Sequence, residues 1–130
     1  NLKIKTAALR LMMLSKNKTY QRRIFAFGDF ISCPAVSYNR ALLQDFKFDE
    51  EMKVSLDWEA WERIMRRPGA IYFLPQKLMG HRIHAGSETT NMIQDATRDS
   101  EDFIMFRRYW GVRMARFLTR LYSNSQKTNQ

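Results

Sequence analysis

An α/β fold is predicted, rich in helix and holding a short mixed sheet. Three observations predict it. Apolar residues recur at helical spacing near both ends, over residues 1–14 and from about Asp95 to Tyr122. A β-rich run, Ala70–Leu74, is bounded by Gly69 and Pro75, and Leu78–His84 reads as a second strand. Between these regions, Leu56–Arg67 has a helical pattern closed by Pro68 and Gly69.

Taken in order, residues 1–14 place Ile4, Ala8, Leu11 and Met12 on one helical face. Ser15–Thr19 is a polar break. Residues 1–27 hold seven basic side chains and no acidic one, which serves equally as a solvated face or as a surface for an anion. Ile31, Cys33 and Val36–Tyr38 suggest a buried extended segment bent at Pro34, with Cys33 as a small buried residue rather than a nucleophile. Asn39 is a good N-cap for a short helix from Arg40 to Asp45. Phe46–Ser55 is a loop with Asp49, Glu50 and Glu51, and Ser55 can cap the helix that follows.

Asp57 and Glu59 fall in the first turn of that helix, where carboxylates suit the helix dipole. On spacing alone the favoured role for Asp57 is this complement to the dipole, ahead of a catalytic one. In the Leu78–His84 run, Arg82 and His84 alternate onto one face and His81 onto the other, so the two histidines are poorly placed to share a metal. Ala85–Asn91 is small and polar. Phe103, Phe106, Trp110, Phe117 and Leu121 form an apolar stripe on the last helix, which Gly111 interrupts, and the SNSQKTNQ tail is expected to fray.

The chain has 130 residues, enough for one modest domain with a core, and 45% hydrophobic content argues against disorder. Its net charge of +9 favours an anionic partner: nucleic acid, a nucleotide phosphate or an acidic membrane face. One cysteine excludes an internal disulfide framework and fits a reducing compartment. No run approaches the roughly 20 apolar residues of a membrane span. The chain opens on Asn1 without a signal-peptide pattern and is read as a piece of something longer.

Three segments carry a family resemblance: ISCPAVSYNRALL, FDEEMKVSLDWEAWERIMRRPGAIYFLP and MGHRIHAGSETT. Their order and spacing over residues 28–90 resemble the acceptor-side half of glycosyltransferase family 2, enzymes of the GT-A fold. The resemblance implies a strand leading into a short helix, an Asp-bearing helix followed by a strand, and a closing Arg-x-His loop with a nearby serine. It divides the single-domain fragment 1–130 into a basic helix and connector (1–27), an acceptor and catalytic segment (28–90), and a helical extension with tail (91–130), like the extensions of bacterial members.

The implied roles follow position by position. Asp57 matches the general base of inverting members. Arg82, His84 and Ser87 match the loop that closes over the leaving nucleotide diphosphate, with His84 also a metal ligand. Trp58 and Trp61 flank the base and stand either as walls for an acceptor sugar or as core. The family's nucleotide-binding half ends in an Asp-x-Asp metal motif, and neither that motif nor a Gly-rich phosphate loop occurs here. A divalent cation, Mn or Mg, is thus expected in the longer parent and no cofactor in the fragment alone. The Gln-x-x-Arg-Trp signature of processive synthases is absent too, which favours single-sugar transfer.

The expected function is that of a non-processive, inverting transferase acting in polysaccharide biosynthesis, moving a sugar from a nucleotide-sugar donor to a glycan or lipid-linked acceptor. The expected partners are the missing nucleotide-binding half, the donor, the acceptor, a membrane surface touched peripherally from the cytoplasmic side, and a second copy of the chain. The alternative is a basic module for nucleic acid or a membrane surface, without catalysis.

Overall fold

The computed structural model describes residues 7, 18–74, 76, 78–80 and 96–127. Among them four α-helices carry the fold: α1 (Lys18–Ile24), α2 (Leu56–Arg66), α3 (Ala96–Arg107) and α4 (Val112–Lys127). Two 3-10 turns, Phe25–Phe27 and Cys33–Ala35, lie between α1 and α2. α1 packs on α2, and α3 and α4 pack along each other as a hairpin. The described residues are helix-rich and contain no strand. Residues 70–74 and 78–80, expected in a short mixed sheet, lack strand pairing, and Tyr72, Leu74, Leu78 and Met79 are exposed. β propensity reflects packing against neighbouring strands, and no described neighbour supplies it. No described helix is long and apolar enough to cross a membrane.

The core centres on α2. Its sequence places Trp58, Ala60, Trp61 and Met65 inward, joined by Phe25 from the first turn, Met105 and Phe106 from α3, and Ala115 from α4. Trp58 and Phe106 meet edge to face at 5.0 Å between ring centroids, and Tyr122 of α4 lies 5.9 Å from each. Such ring pairs are worth roughly 0.5–1.5 kcal/mol beyond their buried area.

Three ring donors then fix the irregular segment after α1. Trp58 Nε1 donates to the Phe25 carbonyl (3.1 Å), Trp110 Nε1 to that of Ala26 (2.7 Å) and the Tyr122 hydroxyl to that of Asp29 (3.1 Å). Gly28 sits inside this clamp at φ 129°, and a Cβ there would lie 2.6 Å from the Tyr122 ring. Both the backbone angle and the close approach require glycine.

Several local expectations change. Residues 40–45 form turns rather than a helix. Asn39 caps no helix; its Oδ1 accepts from the Ala41 amide (3.0 Å), closing a side-chain turn. Val36 and Tyr38 are half-buried, whereas Cys33 is exposed on its 3-10 turn instead of buried. The terminal stripe splits into α3 and α4 around residues 108–111, and Phe117 and Leu121 face outward. Helix α4 continues to Lys127, through most of the tail expected to fray.

Candidate functional site

Asp57 stands in the first turn of α2, half-buried, with its Oδ1 accepting from the Trp58 amide (2.9 Å). What places it is the mount of α2. Glu101 of α3 points its carboxylate at three successive amides: Lys53 N–H donates to Oε1 (2.9 Å), and those of Val54 and Ser55 donate to Oε2 (2.8 Å each). Ser55 occupies the N-cap position, but its hydroxyl donates to Asp102 Oδ1 (2.8 Å) and caps no α2 amide. Two adjacent acids of α3 therefore hold the chain entering α2. That relation spans nearly fifty residues of sequence and is not legible from Ser55 alone.

Beside Asp57 lies the segment 29–38. Asp29 Oδ1 accepts from the Ile31 amide (3.0 Å), and Pro34 opens the 3-10 turn at Cys33–Ala35. Although Cys33 is exposed, partial desolvation by the surrounding loop raises its thiol pKa, and the charges of Asp57 and Asp29 raise it further. The thiolate is thus disfavoured, and the two acids are both electrostatic neighbours of Cys33. The Tyr38 phenol is pushed up to about 12 by burial, then by Cys33 and Asp57. Asp29, Cys33, Tyr38 and Asp57 accordingly form one electrostatic neighbourhood. Asp29 and Asp57 are its charged members.

Tyr38 stacks on Trp61, 5.8 Å between centroids at 26°, and meets Phe48 edge to face. The Tyr38 hydroxyl and Trp61 Nε1 are buried with no hydrogen-bond partner among the described residues. Trp58 and Trp61 are themselves 1% and 2% exposed. They are core residues here, so the acceptor-wall reading of these indoles gives way to packing: α2 turns both rings toward α3 and the 36–48 loop. Arg82, His84 and Ser87, together with His81, lie outside the described residues. Among the described residues no group of three His, Cys, Asp or Glu side chains is arranged to hold a metal.

A second cluster goes beyond what the sequence predicts. Glu59 and Glu62, 2% and 0% exposed, project from α2 into a set of arginines. Arg63 Nε donates to Glu59 (2.8 Å), Arg22 Nε and Arg66 Nη2 to Glu62 Oε1 (2.5 and 2.6 Å), and Arg108 Nη1 to both glutamates (3.1 and 3.2 Å). Burial pushes the Glu62 pKa up, but hydrogen bonds from Arg22 and Arg66 outweigh it and the net shift is downward. The i,i+4 pairs Glu59–Arg63 and Glu62–Arg66 are visible signals; Arg22 and Arg108 arrive from distant sequence. This cluster ties α1, α2 and the α3–α4 turn together and has a structural role.

Compared with known proteins, the chain matches no family model, no curated protein and no solved structure.

Proposed function

We propose that this chain is the acceptor-side half of a non-processive, inverting glycosyltransferase of family 2, with Asp57 as its general base. The observation that carries the reading is the position of Asp57: it stands in the first turn of α2, beside the 33–38 segment that resembles the family's acceptor side. The reading takes the GT-A fold, with its short sheet, as the form of the complete enzyme.

In the proposed reaction the Asp57 carboxylate accepts the proton of an acceptor hydroxyl. That oxygen forms a bond to the anomeric carbon from the face opposite the leaving group. The bond from that carbon to the nucleotide diphosphate breaks, and its electron pair leaves with the diphosphate. Arg82, His84 and Ser87 are proposed to meet that growing charge, Arg82 through a bidentate fork that lysine cannot reproduce. The divalent cation belongs to the resemblance alone, and the chemistry proposed for Asp57 does not use it.

The test is Asp57→Asn in the enzyme that carries both halves. Turnover should fall on the order of 10²–10⁴-fold, the usual contribution of general base catalysis, with donor affinity retained. A first-turn charge contributes less than about 1 kcal/mol to stability, so folding should barely change. Near-normal turnover would return Asp57 to complementing the helix dipole.

A further inference from the structure

Helix α4 has an inner and an outer face. Ala115 and Thr119 are buried, Leu118 is half-buried, and Tyr122 reaches Trp58 and Phe106. These residues follow helical spacing and seat α4 on the core. The opposite face carries two parallel ridges, each at i, i+3, i+7. One is apolar: Met114, Phe117 and Leu121, which are 47%, 55% and 51% exposed. The other is Arg113, Arg116 and Arg120, all exposed.

The usual outer face of a packed helix is polar, and scattered arginines on it would need no explanation. The apolar ridge does. Among the described residues Arg22, Arg63, Arg66, Arg67 and Arg108 make ion pairs with acids. Among the described residues Arg113, Arg116 and Arg120 make none, and no acidic residue follows Asp102 in the chain. An apolar ridge and an uncompensated cationic ridge therefore run side by side along one helix.

That pairing selects among occupants. A second copy meeting this face around a two-fold axis would bring its own arginine ridge to the same patch, opposing like charges. Single-stranded nucleic acid calls for successive flat rings to stack on, and this ridge offers a single one, Phe117, between two aliphatic side chains. An anionic lipid surface matches both ridges: apolar side chains enter the boundary of the acyl chains while cations stay at headgroup level. We propose that the outer face of α4 is a docking surface for anionic lipid, lying in the plane of the membrane. This inference stands on α4 alone and does not rest on the role given to Asp57.

The experiment is co-sedimentation of the 130-residue chain with phosphatidylglycerol/phosphatidylcholine vesicles, with pure phosphatidylcholine vesicles in parallel. Binding is expected only to the anionic vesicles. The triple variant Arg113→Gln/Arg116→Gln/Arg120→Gln should weaken it on the order of 100-fold, from the loss of three headgroup-level charges. Phe117→Ser/Leu121→Ser should weaken it at unchanged net charge, whereas Arg40→Gln, exposed on the 40–45 turns, should not. Phe117→Trp supplies a depth probe: its emission in excess of the wild type's, which already holds Trp58, Trp61 and Trp110, should shift to the blue and be quenched by brominated lipid. Thermal melts show that each variant is folded. Undiminished binding by either multiple variant, equal binding to neutral vesicles, or an indole in the Phe117→Trp variant that stays water-exposed on vesicles overturns the proposal. So does absence of vesicle binding, whether it comes with self-association that Phe117→Ser/Leu121→Ser abolishes or with polyuridylate binding that the arginine variant loses.

Discussion

Asp102 shows how much one buried atom can matter. The residue is 2% exposed; Oδ1 accepts from Ser55, and Oδ2 is buried with no partner among the described residues. Burial lifts its pKa to about 6; the Ser55 bond and Arg98 oppose that rise, and Asp99 and Glu101 add to it. The folded protein thus holds this proton more tightly than the unfolded chain, where the carboxyl titrates at 3.8. Between those values the native state binds more protons, so stability falls as pH rises from about 4 to 6, by at most about 3 kcal/mol. Glu62 works in the opposite sense: its lowered pKa adds stability that is present above the unfolded value and is lost as pH falls through the folded one. Asp102→Asn removes the first contribution and keeps an acceptor for Ser55. Urea unfolding across pH should show the variant gaining on the wild type between about pH 4 and 6, then a constant difference above that window. A difference that stays flat across the window would mean that Asp102 titrates normally.

Among the elements, α2 is the most legible. Its periodicity and the Pro68–Gly69 stop predict Leu56–Arg67 against the observed Leu56–Arg66, and Ser55 falls at the N-cap as expected. What its sequence does not contain is the carboxylate of Glu101, which gathers the amides of Lys53, Val54 and Ser55 from α3. The same limit explains the other misses. Asn39 reads as a cap because nothing local distinguishes a cap from a side-chain turn. Phe117 and Leu121 read as core because helical spacing fixes which residues share a face, but not which face is covered. Of the candidate site, Asp57 and its helix turn are legible, whereas the approach of Asp29, Cys33 and Tyr38 requires the folded loop.

Glu101→Gln tests the mount directly. A single amide oxygen cannot serve three N–H donors, and the charge that strengthens those bonds is lost. Bonds to a charged acceptor are worth about 1.5–3 kcal/mol each, so the variant should lose on the order of 2–3 kcal/mol. Hydrogen exchange at residues 53–55 should accelerate more than in α4. Wild-type melting and exchange would show that α2 is held by its apolar face alone.

For the whole molecule, charge is distributed unevenly, and that bears on what the chain can bind by itself. Its net charge is +9, yet the charges that act on Cys33 beside Asp57 are those of Asp57 and Asp29. Among the described residues Arg22, Arg63, Arg66, Arg67 and Arg108 are committed to ion pairs, and Arg22, Arg66 and Arg108 meet Glu62. Arg113, Arg116 and Arg120 lie along α4, on the face turned away from the core. None of these paired or outward-facing cations is assigned to a diphosphate beside the proposed base. Under the proposed function, phosphate affinity falls to Arg82, His84 and Ser87 and to the nucleotide-binding half. A few charge-assisted contacts without the nucleoside and metal contacts of that half give weak binding, because association costs at least about 4 kcal/mol of lost translational and rotational freedom. Titration calorimetry of residues 1–130 with nucleotide sugars should therefore show no micromolar site, with or without Mn or Mg. Adding the nucleotide-binding half should restore donor binding, and Arg82→Lys should then lower turnover while leaving the melt unchanged. A micromolar site in the chain alone would mean that it carries its own nucleotide pocket, and the half-enzyme reading would fail even if Asp57 proved catalytic.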